Sequence, residues 1–412
     1  MSLTPLERVR GRILAAVPRL GSETVPYTEA AGRVLAEPVV ALEDIPAFPN
    51  SSMDGFAVRS ADVVEPGALL EVIADLPAGQ VAETTVGEGE AIRIMTGAPM
   101  PGGADAVVRV EDTEIEGEKV RIGVSVQPGH YVRPAGGDVA KGDRIFEPGL
   151  RLTPVEVGVL ATLGAVDVTV GRRPRVAVLS TGDELAPSEA RDLGPGMIRD
   201  SNRPMLAALV VEAGAEVLDL GRVPDDVQAL RDALDRAATE ADVIVTSGGV
   251  SMGDYDVTKL VLRDEAGVEF ISVAMKPGKP LAFGHIGGTP FFGLPGNPVS
   301  VLVAFEQFMR PALLAMQGAR ALLRPQVWGV AGERLKTDPA KTVFLRVRFE
   351  GDSREMRVVQ TGGQASNRLS GAAGADAFAV VPRGVDVIEE GEPVALELFR
   401  APETREHSDD RA

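Results

Sequence analysis

The spacing of apolar and polar residues changes character several times along the chain. Residues 4–17 repeat apolar positions at helical spacing, with Thr4 placed to cap and Pro5 at the first helical position, where a missing N–H costs nothing. A second short helix is predicted over 28–36. From about residue 46 to 145 the period shortens to alternating runs such as ALLEVIADL, EAIRIMTG and KVRIGVSV, punctuated by glycine and proline, which predicts an all-β insert. Within it, PNSSMDGFAVR (49–59) is expected to bury Met53, Phe56 and Val58. Helical spacing returns over 153–164, bounded by Thr153, Pro154 and Gly164. The insert therefore sits inside a helical frame.

Residues 174–321 alternate strand and helix. Buried strands are predicted at 174–180, 215–221, 241–247 and 268–275. Helices are predicted at 201–214, from an Asp225 or Asp226 cap to Thr239, and at 298–318 with a kink at Pro311. Such alternation implies a three-layer α/β domain, its parallel-rich sheet covered on both faces. Beyond Arg324 short strand-like runs predict a small β-barrel or sandwich. The expected division is a frame of 1–45 plus 146–172, an insert of 46–145, an α/β domain of 173–321, a barrel of 322–401 and a polar tail of 402–412.

Charge and composition narrow the function. A net charge of −18 repels nucleic acid, and no basic arm offsets it. The chain has no cysteine, so disulfides, thiolate catalysis and zinc–thiolate sites are excluded. Only three histidines, His130, His285 and His407, argue against a histidine-based triad or metal centre. Carboxylates are the available metal ligands, and they favour Mg²⁺. No uninterrupted apolar run approaches membrane length, and the N-terminal residues have no secretory h-region, so a cytoplasmic address is expected.

The candidate chemistry lies in glycine- and proline-rich loops that follow the strands: TGDEL (181–185), GRVPDD (221–226), TSGGVSMGDYD (246–256), AMKPGKP (274–280) and GLPGNPVS (293–300). Ligands of open α/β sheets bind at the carboxyl ends of the strands. Backbone N–H groups freed by glycine suit phosphates. Ser247, Gly248, Gly249, Pro295, Gly296 and Asn297 would line such a rim, with Lys276 and Lys279 as anion holders and Glu184, Asp225 and Asp256 as carboxylates. Each residue also has an ordinary use: Asp225 as a helix N-cap, the glycine pair and Pro-Gly-Asn-Pro as turns. Convergence of five loops points to a phosphorylated small molecule with a divalent cation. In the insert, Asp54, Thr96 and Asp138 are single polar residues at turns and strand ends.

Seven segments, PNSSMDGFAVR, RIMTGAPMPGGADAVV, RPAGGDVAKGD, LSTGDEL, TSGGVSMGDYD, MKPGKP and GLPGNPVS, occur in an order that resembles the molybdopterin molybdotransferases, the MoeA and gephyrin E-domain family of molybdenum cofactor synthesis. The resemblance covers about residues 4–400. It implies an α/β domain like that of the molybdopterin adenylyltransferase. It also implies a homodimer with the site shared between subunits, and possible contact with that adenylyltransferase. The substrates implied are adenylylated molybdopterin and molybdate, with Mg²⁺-dependent release of AMP. Matched residue by residue, Asp54, Thr96, Asp138 and Glu184 would be catalytic, Asp225 and Asp256 would hold the metal, and Lys276 and Lys279 the substrate. Arg346 and Ser366 would form a polar pair near an anion, although Arg348, two residues on, shares the strand face. Two other readings compete: an adenylyltransferase-like enzyme, and a dimeric scaffold with a vestigial site.

Overall fold

The computed structural model describes residues 3–187, 189–249, 260–262, 267–350 and 355–400. Helix α1 (Leu6–Ala16) starts behind Pro5 and buries Leu6, Val9 and Ile13. Thr4 does not cap it. Its N–H donates to Ser272 O and its carbonyl accepts from Ala274 N, both at 2.8 Å, so pairing beside the sheet outcompetes the cap. The helix predicted over 28–36 is replaced by a single turn, Tyr27–Glu29. Gly32 at φ 78° ends helical geometry, and Val34 and Leu35 bridge Arg151 and Val170 instead. A strand pair, Ser22–Pro26 with Asp167–Gly171, joins the chain before and after the insert.

The insert is a six-stranded sheet. Its strands are β1 (Gly55–Val58), β2 (Leu69–Leu76), β3 (Glu90–Ile94), β4 (Ala106–Arg109), β5 (Thr113–Glu116) and β6 (Lys119–Ile122), in the order β4-β1-β3-β2-β6-β5. One face packs around Phe56 and Val58, the other around Ala57, Ile92 and Ile94. Met53, expected inside, is 38% exposed. It belongs to the turn before β1, where Ser51 Oγ donates to its carbonyl at 2.6 Å. Helix α2 (Pro154–Thr162) then opens with a capping box: Thr153 Oγ1 accepts from Val155 N and Glu156 accepts from Thr153 N.

In the α/β domain the elements are β7 (Arg175–Thr181), α3 (Asn202–Glu212), β8 (Glu216–Val223), α4 (Val227–Glu240), β9 (Val243–Ser247), β10 (Glu269–Ser272), β11 (Pro280–Ile286), β12 (Thr289–Leu294) and α5 (Pro298–Met316). The sheet order is β8-β7-β9-β12-β11-β10. The first four strands are parallel, whereas β11 runs antiparallel to both β12 and β10. The sheet is thus parallel-rich rather than wholly parallel. The β11–β12 hairpin is absent from the sequence reading, although Gly287 and Gly288, both at positive φ between apolar runs, are its turn signal. Helices α1, α3 and α5 cover one face and α4 the other.

Helix α5 has the length and apolarity of a membrane span, but 94% of that stretch is buried inside the fold. It carries a π segment, Phe305–Met309, immediately before Pro311. Proline offers no N–H to the Gln307 carbonyl four residues earlier, and Arg10 Nε donates to that oxygen at 3.0 Å.

The C-terminal strands β13 (Gln326–Ala331), β14 (Thr342–Phe349), β15 (Arg357–Gln360), β16 (Ala377–Val381) and β17 (Pro393–Leu398) close into a barrel, β14-β15-β13-β17-β16 and back to β14. Alternation along β14 sets three environments. Val343, Leu345 and Val347 fill the barrel core, and Phe344 joins the core shared with the α/β domain. Arg346 is buried while Arg348 is exposed. Met275 and Lys276 pair in parallel with the start of β14, so the lysine loop is stitched to the barrel.

Candidate active site

Strand register decides where the loops emerge. Ser180 lies level with Ser247, Thr181 with Val223, Ser247 with Leu294 and Ser272 with Pro280. The segments 182–184, 224–226, 248–249, 273–279 and 295–297 therefore leave one edge of the sheet. Glycine is required at 248: φ is 96°, and a Cβ would stand 2.9 Å from Thr181 O. Ser247 is buried, and its hydroxyl has no hydrogen-bond partner among the described residues. Asn202 Oδ1 is equally unpartnered, while its Nδ2 donates to Gly296 O at 2.7 Å. Unsatisfied buried oxygens at a rim are groups a polar ligand can use.

Asp226, not Asp225, caps α4, accepting from Ala229 N at 2.8 Å. Asp225 is tied instead to the neighbouring loop. Its Oδ2 accepts from Asp183 N at 3.2 Å, and its own N–H donates to Asp183 Oδ1 at 3.3 Å. Arg222 ion-pairs with Asp183 at 3.4 Å. Glu184 is exposed beside them. Asp254 and Asp256 lie outside the described residues. Among the described residues no group of three metal-ligating side chains stands together. Carboxylate oxygens of this kind suit Mg²⁺, but Asp225 needs further ligands before the rim could hold one.

Between the rim and the barrel lies a cavity of about 680 Å³. Lys276, Lys279 and Asn297 line it from the α/β side, Lys341 and Ser366 from the barrel side. Asn297 stands at the N-cap of α5, yet its side chain makes no capping bond. Val299 N donates to Ser366 O at 3.0 Å and Thr342 N to Ala274 O at 2.9 Å, which hold the two walls together. Among the described residues the lining contains no carboxylate. In a chain of net charge −18 that is a local reversal, and it suits an oxyanion. Lys341, Ser300, Gln364 and Asn367 belong to this lining and were not singled out from sequence. Lys341 sits in an ordinary polar turn and pairs with Asp338 at 2.6 Å, so only docking of the barrel gives it a place here.

Arg346 is not available to an anion. It is 1% exposed, and its guanidinium donates to Arg368 O and Gly363 O at 2.8 Å, to Ala365 O at 3.2 Å and to Gln364 Oε1 at 3.3 Å. Burial, and then the nearby Arg368, push its pKa below the ordinary value. Its job is to shape the loop that presents Ser366. The pairing of Arg346 with Ser366 as two ligand-binding side chains is therefore corrected to one holder and one presented group.

On the insert, Asp54 and Thr96 meet: Asp54 Oδ1 accepts from Thr96 N and Thr96 Oγ1, each at 2.7 Å. The Thr96 N–H first, then its hydroxyl, hold the Asp54 carboxyl below the usual carboxylate range. The 131–139 segment runs from here, where Ser52 N donates to Tyr131 O, to Ile45, whose carbonyl accepts from Asp138 N. Asp138 is exposed there. The two apolar clusters of the insert contain none of the α/β residues.

Known proteins share this architecture. Residues 4–164 match the MoeA N-terminal region (domain I and II), 177–315 a probable molybdopterin binding domain, and 329–399 the MoeA C-terminal region (domain IV). The chain is 41% identical over 386 residues to molybdopterin molybdenumtransferase 2 of Mycobacterium tuberculosis, covering 91% of this chain and 94% of that one. It is 36% identical to the molybdopterin molybdenumtransferase of Haemophilus influenzae, over 96% and 98% of the two chains. The crystal structure of the molybdopterin biosynthesis MoeA protein of Pyrococcus horikoshii OT3 superposes with a TM-score of 0.84 at 30% identity, covering 97% of this chain and all of that one. With all three regions matched in order and relatives similar over nearly their full lengths, the chain belongs to the MoeA family of molybdopterin molybdenumtransferases.

Proposed function

We propose that this protein inserts molybdate into adenylylated molybdopterin with Mg²⁺-dependent release of AMP, as a cytoplasmic homodimer whose site is shared between subunits. The observation that carries the reading is the cavity where Lys276 and Lys279 face Asn297 and Ser366, with no carboxylate in its lining among the described residues. Molybdate is a tetrahedral dianion, and cationic, amide and hydroxyl donors are what it requires. The adjoining rim, with Ser247, Gly248, Gly249, Pro295, Gly296 and Asn297, offers backbone and side-chain groups for the pterin nucleotide. The two substrates would thus lie side by side.

Release of AMP is attack of water on the adenylyl phosphorus, with the P–O bond to the pterin phosphate breaking and that phosphate leaving. Such steps depend on positioning and charge neutralisation. Lys276 and Lys279 would hold phosphoryl or molybdate oxygens, and Glu184 would orient the water. Asp225 and Asp256 would hold Mg²⁺, which when bound supplies further neutralisation of phosphate charge. Asp54, fixed by Thr96, and Asp138 lie on an insert with its own core, so their proposed route to the rim is from a second copy of the chain. Contact with the adenylyltransferase that makes the substrate would spare it release into solvent.

The test is incubation with adenylylated molybdopterin, Mg²⁺ and molybdate, following AMP by chromatography. AMP appearing only with all three supports the reading. Formation of adenylylated pterin from ATP would favour an adenylyltransferase instead, and no turnover would favour a scaffold.

A further inference from the structure

A second cavity, of about 510 Å³, opens on the far side of the loop that Arg346 holds. Arg348 and Arg368 line it, with Gln360, Thr361 and Ser370 as further polar groups. Among the described residues the lining holds no carboxylate. Neither guanidinium has an ion-pair or hydrogen-bond partner among the described residues, whereas Arg357, Arg324 and Arg334 in the same part of the chain all pair with glutamates. The contrast with a cavity of the insert is direct. There Arg121 lines a space with Glu111, Asp112 and Glu114, and it is already paired with Glu116 at 2.6 Å.

Two glycines shape the walls. The Arg368 guanidinium lies across Gly363, where a Cβ would stand 2.6 Å from its Nη1 and 3.1 Å from its Cζ and would displace it. At Gly371 a Cβ would come within 2.9 Å of Thr361 O. Thr361 Oγ1 donates to Gly371 O at 2.5 Å, tying the two sides of the cavity. The Arg368 carbonyl is fixed by Arg346 Nη1. Positive charge has thus been gathered at a defined place with no partner for it among the described residues. Glu333, which accepts from Gln360 N, is not part of the lining.

From this geometry we infer that the Arg348–Arg368 cavity is a second oxyanion site, separate from the lysine-lined one, taking a tetrahedral dianion either free or as a phosphate ester. Two planar guanidiniums with the Ser370 hydroxyl as a further donor match such an ion. Because one loop forms a wall of each cavity, with Gly363 and Arg368 on one side and Ser366 and Asn367 on the other, an anion here would also steady the wall that presents Ser366.

The test is calorimetric titration of the full-length chain carrying Lys276→Ala and Lys279→Ala, so that the first site is disabled. Molybdate, sulfate and AMP are the probes. Saturable binding is expected, weakened at least tenfold by adding Arg348→Ala or Arg368→Ala and partly retained by Arg348→Lys. Binding of molybdate or sulfate identifies a site for the free ion, and binding of AMP alone one for an ester. Absence of binding by all three probes, or binding unchanged by both arginine substitutions, overturns the inference. These titrations do not involve turnover, so their failure is distinct from failure of the AMP-release assay.

Discussion

Cations of the motifs around the lysine-lined cavity are used in opposite ways on its two walls. On the α/β side, Lys276 and Lys279 are exposed ends on a loop, free to meet a ligand. On the barrel side, the arginine nearest the loop is buried and spent on backbone oxygens, and Ser366 is what it presents. A cation in a motif is therefore a binder or a scaffold according to its carbonyl neighbours. Position 348, two residues further along β14, is exposed again.

The sharpest way to break this comparison is to remove each cation in turn. Lys276→Ala with Lys279→Ala should lower molybdate affinity and AMP release by about a thousandfold, since each charge-assisted contact is worth about 1.5–3 kcal/mol. The thermal midpoint should barely move. Normal turnover would show that the lysines are surface charge only. Arg346→Ala should do the reverse in first order. Stranding its carbonyl partners costs about 3 kcal/mol of stability, read as a lower denaturation midpoint, with activity falling because Ser366 loses its place. An Arg346→Ala protein of unaltered stability would restore Arg346 as a candidate ligand.

Asp54→Asn tests the insert side. It should reduce AMP release about a hundredfold without disrupting dimerisation, measured by sedimentation. Because the folded pKa of Asp54 is depressed, the contribution of its hydrogen bonds is present above the ordinary aspartate range and lost as pH falls through the lowered value. At neutral pH the group is ionised, so an activity profile governed by it should not bend until acid conditions.

The smallest effect concerns Glu397, which accepts from Gln307 Nε2 at 2.7 Å between the barrel and α5. Burial pushes its pKa up. The folded state then holds the proton more tightly than the unfolded one. Its contribution is fullest below the ordinary glutamate value and is lost as pH rises through the raised one. Glu397→Gln keeps an acceptor for Gln307 and should flatten that part of the stability curve, changing stability at pH 7 by no more than about 1 kcal/mol. Denaturation midpoints from pH 4 to 8 check it.

Local rules were readable wherever one short stretch of chain decides the outcome. Thr153-Pro154-Val155-Glu156 carries its own helix-start signals, and the mostly apolar run at 343–347, with its β-branched valines, carries those of a strand. The alternating helices and strands imply an α/β sheet with its loops on one rim, and glycines at 248 and 249 mark a backbone that no larger side chain suits. Other outcomes needed distant partners. Thr4 gave up a cap for Ser272, and residues 28–36 gave up a helix for bridges to 151 and 170. Lys341 reached a ligand cavity only because the barrel docks on 275–276. Arg346 was diverted from ligand to loop for the same reason: a side chain's task depends on which unpaired polar groups folding brings against it, and those lie many residues away.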